Sequence, residues 1–186
     1  KNIKFNTNVG LRLSDQIETR FYFSANHIKL ELPDSLTQNQ VFTNPEAARN
    51  IAISDDQQRN INSYRLSNRT TIDLGEGHKM DVGAFIFYKD LFHPILSVVG
   101  VIDQESVNYG LYTQNSGSYA LGDYLNRYQV GITTHFGDIN AKRWSNNAGV
   151  AGRNTSNADQ AAQNIVLYGE NSFFIKPNFY IILTML

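Results

Sequence analysis

A two-residue alternation of apolar and polar side chains is the feature that most limits what this chain can fold into. Ile17, Phe21 and Phe23 fall on one side of an extended segment, and Glu18 and Arg20 fall on the other. Successive side chains of a strand point to opposite faces, so such a segment has one apolar and one polar surface. The segments run for about twice the usual length of a soluble strand. A strand that crosses a membrane needs about 9–11 residues, and that length fits.

Composition is compatible with this interpretation. The 186 residues are 41% hydrophobic and have a mean hydropathy of −0.35, values usual for a soluble protein. Barrel strands are apolar only at every second position, which keeps the mean hydropathy of a membrane barrel low. No stretch approaches the roughly 18 consecutive apolar residues of a membrane helix. A formal net charge of −1 gives no field directed at nucleic acid. The absence of cysteine excludes disulfides and thiolate chemistry.

Alternation and turn residues together predict about eight long strands. The predicted segments are 8–14, 17–30, 61–74, 79–92, a strand within 97–113, 126–137, 164–174 and a last strand from 179. The connections run short, long, short, medium, short, long, short, and the long ones are 31–59 and 138–163. Single helical turns are expected at Ser35–Gln40 and Pro45–Arg49. Short turns at one rim and long loops at the other are typical of outer-membrane barrels.

The sequence therefore predicts an all-β, antiparallel up-and-down transmembrane barrel segment with short periplasmic turns and long extracellular loops. No charged residue falls among the central residues of the apolar face, as lipid contact requires. Candidates for the aromatic girdle at the membrane interface are Trp144, Tyr88, Phe92 and Phe136. A soluble β-sandwich that serves as a binding module stays open as an alternative, as do an outer-membrane barrel enzyme and a passive porin.

No motif points to catalysis or to a bound cofactor. The chain contains no GxSxG sequence, and its histidines lack the spacing of a helical zinc motif. Asp15 and the pair Asp55-Asp56 fit no calcium loop. We expect a protein that is not an enzyme and that has neither a catalytic residue, a resident cofactor nor a metal site.

Several short pieces, in a consistent order, resemble the barrel region of TonB-dependent outer-membrane receptors of the ferric-siderophore or ferric-citrate type. They are 31–37 (ELPDSLT), 56–61 (DQQRNI), 67–71 (SNRTT), 93–95 (HPI), 102–104 (IDQ), 126–127 (NR) and 170–174 (ENSFF). The resemblance implies a 22-stranded barrel with an N-terminal plug domain. Residues 1–186 would then be a middle part of the barrel domain, an incomplete barrel without plug or TonB box.

By this resemblance, the whole protein binds a ferric chelate, a siderophore or citrate, and imports it into the periplasm of a Gram-negative bacterium. The expected partners are the chelate, outer-membrane lipid, the protein's own plug domain and TonB, and no nucleic acid. The chelator already fills the coordination sphere of iron, so arginines are expected to contact the anion rather than the metal. The candidate contacts in or beside the long loops are Arg49, Arg59, Arg143 and Arg153. Local pairing is the alternative for each, and for Arg59 it would be an ion pair with Asp55-Asp56.

Overall fold

The computed structural model describes residues 1–185 as a single antiparallel sheet of eight strands arranged in chain order. The strands are β1 Asn2–Arg12, β2 Ile17–Glu31, β3 Gln58–Gly75, β4 His78–Pro94, β5 Val101–Leu121, β6 Tyr124–Asn147, β7 Val150–Lys176 and β8 Phe179–Met185. Two short helices, α1 Gln38–Thr43 and α2 Asn50–Ser54, lie between β2 and β3. The predicted all-β up-and-down fold is confirmed. The described residues form an open sheet, in which β1 and β8 each have one hydrogen-bonded neighbour.

The connections alternate between two rims of the sheet. Residues 13–16, 76–77, 122–123 and 177–178 form the short-turn rim, and residues 32–57, 95–100 and 148–149 form the loop rim. The turn at Glu76-Gly77 has φ values of 52° and 80°. Positive φ at both central residues is the geometry of a type I′ turn, which matches the twist of paired strands. The predicted order of short, medium and long connections holds for six of the seven.

The predicted loop at 138–163 is wrong, because these residues form the ends of two strands. β6 and β7 continue to a two-residue turn at Ala148-Gly149, whose φ values are 49° and 85°. The segment is rich in Asn, Ala and Gly, which disfavour strands. Its backbone groups are nevertheless paired along the ladder, and cross-strand contacts such as Asn140 to Asp159 reinforce it. Other strands also extend beyond their predicted bounds, notably β5, which was expected within 97–113 and continues to Leu121.

The helical turns of the β2–β3 connection lie three to five residues later than predicted. Thr37 begins α1 with a capping box, in which its hydroxyl accepts from the Gln40 backbone and Gln40 Oε1 accepts from the Thr37 backbone. α2 begins after Arg49 and buries Ala52. Thr37, rather than Ser35, is therefore the residue that starts the first helix.

The pairing register gives the sheet two chemically different faces. The apolar face carries, among others, Phe21, Phe23, Leu66, Ile86, Leu111, Ile132, Ile165 and Leu167. The polar face carries, among others, Glu18, Arg20, Arg65, Arg69, Asp81, Gln114, Arg127, Thr133 and His135. The facing of β7, which the sequence left ambiguous, follows from its pairing of Leu167 with Ile132.

The apolar face is not covered by any other part of the described chain. Leu111 is 63% exposed and Leu167 is 62% exposed, although both lie in the middle of their strands. No second sheet packs on them within residues 1–185, which argues against the soluble sandwich. No helix in this range has the length and apolar composition to cross a membrane. Exposed apolar surfaces of this extent mark contact with a membrane or with another protein surface.

Candidate functional site: the polar face and the loop rim

Stacked aromatic side chains mark the edge of the apolar face toward the loop rim. The Tyr64 and Tyr88 rings lie 6.4 Å apart at an interplanar angle of 24°, and the Tyr109 and Phe136 rings lie 5.4 Å apart at 26°. Tyr88 and Phe136 are two of the four predicted girdle residues. Aromatic rings with a polar tip favour the interface between hydrocarbon and water.

A second group of aromatic residues lies near the short-turn rim on the same face. Tyr119 contacts Tyr128 at 6.1 Å between ring centroids, and Tyr124 contacts Phe173 at 5.2 Å. Tyr119 follows Tyr109 by ten residues on β5. Ten residues span about 33 Å along a strand, or about 23 Å along the membrane normal at a tilt of about 45°. That distance is close to the height of the apolar band of outer-membrane barrels.

Charged residues on the apolar face begin directly beyond the aromatic residues nearest the loop rim. Asp90 and Asp138 lie two strand positions beyond Tyr88 and Phe136 toward this rim, and Glu105 lies four positions beyond Tyr109. Between the two aromatic groups, the central positions of β4 to β7 on this face carry no Asp, Glu, Lys or Arg. The apolar face therefore has a charge-free band with sharp limits.

The polar face carries ion pairs at the depth of this band. Arg69 donates to both carboxylate oxygens of Asp81, at 3.1 Å from Nε and 2.6 Å from Nη2. The Thr71 hydroxyl donates to the same carboxylate at 2.5 Å. Arg20 contacts Glu18 at 3.1 Å and Asn8 at 3.1 Å. These arginines are paired, as expected for residues that line a polar lumen.

Aromatic rings on the polar face lie over glycines of the neighbouring strand. Tyr112 covers Gly83 and Tyr168 covers Gly131, and a Cβ atom at either glycine would overlap the ring. The Tyr168 hydroxyl donates to Gln114 Oε1 at 2.9 Å. Each ring is thereby held flat along the sheet, which leaves space above the polar face.

One side chain, that of Asn146, contacts all three connections of the loop rim. Asn146 Nδ2 donates to the backbone oxygens of Asp55 and Ile95, at 2.8 and 2.5 Å, and its Oδ1 accepts from the Gly149 backbone at 2.8 Å. These three backbone groups belong to the three different connections at this rim. Val101, with no exposed surface, packs at the same place. The connections therefore form one structured unit.

Two of the four predicted arginines lie on one row of the polar face, close to the loop rim. Arg59 is in β3 and Arg143 is in β6, so neither is in a loop. In the register of the sheet, Arg143 lies opposite Ile102, and Ile102 lies opposite His93. His93 Nδ1 donates to the Gln58 backbone oxygen at 2.7 Å, which brings the row to Arg59. Three strand spacings of about 4.8 Å separate the backbones of the two arginines by about 14 Å.

The other two predicted arginines lie beyond this row. Arg49 precedes α2 and donates from Nη1 to Asp34 at 3.2 Å, so the local-pairing alternative describes it. Arg153 lies in β7, and its backbone donates to the Ser145 hydroxyl at 2.9 Å. The three ion pairs within residues 1–185 include neither Arg59, Arg143 nor Arg153.

The predicted ion pair of Arg59 with Asp55-Asp56 is wrong. Asp55 accepts from the Ser97 backbone at 2.7 Å, and Asp56 accepts from Gln58 Nε2 at 2.7 Å. Both acidic residues precede the strand and point into the loop-rim contacts, whereas the alternation of β3 puts Arg59 on the polar face. The prediction rested on closeness in sequence. The start of β3 lies between the two acidic residues and Arg59, and it separates their side chains.

The sheet is similar in fold to part of a known transporter. A structural comparison superimposes 98% of this chain on 32% of the ferric citrate transporter FecA in its unliganded form, with a TM-score of 0.68 and 8% sequence identity. No protein-family model and no curated protein sequence matches the chain. The similarity establishes the fold at this level of identity. The chain spans about a third of the transporter's length.

Sequence reasoning missed several residues of the site. His93 joins the arginine row from within β4. Trp144, expected in the girdle, lies beyond it, where Nε1 donates to Asp103 at 3.3 Å. The aromatic residues nearest the short-turn rim went unnoticed, although the ten-residue spacing of Tyr109 and Tyr119 was visible in the sequence. Among the described residues, no group of three or more acidic or histidine side chains is arranged to hold a metal ion.

Proposed function

We propose that this chain is part of the wall of a TonB-dependent outer-membrane receptor that binds and imports a ferric chelate, citrate or a siderophore. The proposal rests on the chemical difference between the two faces of the sheet. A charge-free band, limited by aromatic residues on both sides, lies behind a polar face with unpaired arginines near the loop rim. The fold shared with a ferric citrate transporter supports the same cargo class.

In this proposal, the apolar face contacts outer-membrane lipid of a Gram-negative bacterium. The loop rim faces the outside and the short-turn rim faces the periplasm, the sense in which outer-membrane barrels insert. The polar face lines the lumen. It would contact a plug domain elsewhere in the protein, and TonB would supply the energy for import.

Arg59 and Arg143 are the proposed contacts of the chelate. Guanidinium groups form charge-assisted hydrogen bonds with carboxylates, frequently with two bonds each. The backbones of these two arginines lie about 14 Å apart, a distance that two long arginine side chains can span together from opposite sides of one ligand. A chelate that exposes several anionic oxygens offers acceptors to both guanidinium groups. Iron itself needs no protein ligand because the chelator supplies the ligands.

Removing both arginines tests the cargo class. We expect Arg59→Ala with Arg143→Ala to weaken binding of ferric citrate or of the anionic siderophore by about 100-fold, since a hydrogen bond to a charged group contributes about 1.5 kcal/mol or more. The measurement is binding of the radioactive iron chelate to cells that express the full-length protein.

Lys29→Ala with Lys142→Ala is the matched control. These lysines lie as close to the loop rim as the two arginines do, but on the opposite face of the sheet. In the strand register, Lys29 lies opposite Asn60 and Lys142 lies opposite Asp103. The control removes the same charge and leaves the polar face unchanged. Equal binding of every tested chelate by both double variants, or normal growth on all chelates under iron limitation after deletion of the gene, would contradict the proposal.

A further inference from the structure

Charged side chains on the polar face are distributed unequally between the two rims. The row in which Arg65 of β3 lies opposite Phe87 of β4 divides this face. Between this row and the loop rim, the strands within residues 1–185 place five basic side chains and no acidic one on the polar face. They are Lys4, Arg59, Arg65, Lys89 and Arg143. Toward the short-turn rim, acidic residues accompany the basic ones, as in the pair of Arg69 with Asp81. The polar face therefore attracts anions from the loop rim as far as the row of Arg65.

Arg65 is the deepest of these five basic residues, and an aromatic ring fixes its position. Its guanidinium carbon lies 5.9 Å from the centroid of the Phe85 ring. This ring covers Gly110 of the next strand, where a Cβ atom would overlap it, and the His135 ring meets it edge-on at 5.7 Å between centroids. Arg65 takes part in none of the three ion pairs of the described residues. Its charge is therefore available to a ligand.

A pocket beside Arg65 is lined by neutral hydrogen-bonding groups. It has a volume of about 360 Å³ and lies on β1, β2 and β3. Its other polar side chains on this face are Asn6, Asn8, Tyr22, Ser24 and Ser67. Asn8 accepts a bond from Arg20 through Oδ1 and keeps its amide hydrogens free. The others make no side-chain hydrogen bond within residues 1–185, and no Asp or Glu lines the pocket.

We propose that this pocket binds a small hydroxycarboxylate, a carboxylate anion that also carries hydroxyl groups. The Arg65 guanidinium binds the carboxylate through charge-assisted hydrogen bonds. The hydroxyl groups of Tyr22, Ser24 and Ser67 bond to the hydroxyl groups of the ligand. The volume of the pocket is near the low end of small-molecule sites, which span about 300–1,000 Å³. The ligand is therefore a compact molecule rather than the bulky iron chelate.

The pocket is a second anion site, separate from Arg59 and Arg143. Arg65 follows Arg59 by six residues on β3, about 20 Å along the strand. At a strand tilt of about 45°, it lies about 14 Å deeper in the lumen. A small anion cannot contact both arginines. The inference rests on the proposed function only in the assignment of the polar face to a lumen that admits anions.

Binding of L-tartrate to the full-length protein, purified in detergent, tests the proposal. Isothermal titration calorimetry is expected to give a dissociation constant of about 1 mM, in the range of a ligand of this size. Succinate has the same carboxylates without the hydroxyl groups and is expected to bind about 5-fold more weakly, the effect of one lost hydrogen bond. Threitol, which has the hydroxyl groups without the charge, is expected not to bind. Equal binding of tartrate and succinate, or no binding of tartrate, overturns the proposal.

Three variants locate the site. Arg65→Gln is expected to weaken tartrate binding at least 10-fold. Arg127→Gln is the matched control, because Arg127 also lies over an aromatic ring, that of Phe174 at 5.2 Å, but outside the pocket. Tyr22→Phe removes one hydroxyl group and is expected to reduce the preference for tartrate over succinate while succinate binds as before. An unchanged preference in Tyr22→Phe, or equal tartrate binding by Arg65→Gln and Arg127→Gln, contradicts the proposed site.

The Arg59→Ala, Arg143→Ala double variant separates this proposal from the receptor function. Its binding of tartrate at 0.15 M salt is expected to be unchanged, because neither arginine lines the pocket and charges are screened over about 8 Å. The two proposals therefore fail independently. A loss of tartrate binding in this variant would place the ligand at the loop rim and contradict the deeper site.

Discussion

Individual residues of this chain are constrained by contacts with neighbouring strands and connections. Gly83 and Gly131 each lie beneath a tyrosine ring of the next strand, and Asn146 joins three connections. The sequence around these two glycines and around Asn146 gives no sign that they are constrained. They act through contacts with residues far along the chain, so their roles follow from the register of the sheet.

Gly83→Ala tests the contact between glycine and tyrosine. A Cβ atom at Gly83 would overlap Tyr112 and also approach the Asn68 backbone oxygen. We expect destabilisation of about 1–3 kcal/mol, the usual cost of overpacking, in urea unfolding from lipid vesicles. Gly10→Ala is the control, since its added methyl group meets only the flexible end of Arg20. Equal effects of the two substitutions would contradict the contact.

Asn146→Ala tests the connection between the loops. The substitution leaves two carbonyl oxygens and one N–H without their partner, and each buried group costs about 1–3 kcal/mol when unpaired. We expect the β2–β3 connection to exchange its amide hydrogens at least 10-fold faster while the centre of the sheet is unchanged. Asn147→Ala, at an exposed neighbouring position, is expected to show normal exchange.

At the scale of the strand, alternation decides which side chains lie on the apolar face. Ile132 lies midway between Phe136 and Tyr128 on β6, and its neighbour Thr133 lies on the polar face. The same alternation predicted the strands themselves from the sequence. The alternation of apolar and polar residues is clear on β2, β3 and β6, whereas Phe85 and Phe87 interrupt it on the polar face of β4.

Ile132→Arg is expected to destabilise the folded protein in lipid vesicles by about 2–4 kcal/mol, the cost of arginine near the bilayer midplane. Thr133→Arg shifts the same charge by one residue and moves it to the polar face. We expect its effect to be within about 0.5 kcal/mol, as for most surface substitutions. Equal destabilisation by the two variants would show that both faces have the same environment.

Strand ends were predicted less well than strand centres, for a physical reason. Beyond the apolar band both faces of a strand carry polar residues, so the hydrophobic alternation that marks a strand disappears. Residues 138–163 show this, because their polar side chains indicate a loop while their backbone continues the ladder. The positive φ of Ala148 and Gly149 is the local signal of the hairpin, and Ala-Gly is a weak indication of a type I′ turn.

Only part of the candidate site could be predicted from the sequence. Arginine was the expected residue type, and Arg59 and Arg143 lie on the polar face near the loop rim. Their common row, with His93 between them, depends on the register of four strands, and no single segment of sequence contains it.

At the scale of the whole molecule, the central claim is that one face of the sheet contacts lipid and the other lines a polar lumen. The chain contains no cysteine, so single cysteines can be introduced at successive positions without background labelling. Spin labels at each position from 128 to 137 of β6, in the full-length protein in lipid vesicles, report the environment of both faces through their collision rates with oxygen.

Collision with oxygen, which concentrates in hydrocarbon, is the decisive measurement. The structure predicts a period of two residues, with high collision rates at Val130, Ile132 and Thr134 and low rates at Gly131 and Thr133. Uniform rates along β6, or high rates at positions 131 and 133, would contradict a sheet whose apolar face contacts lipid.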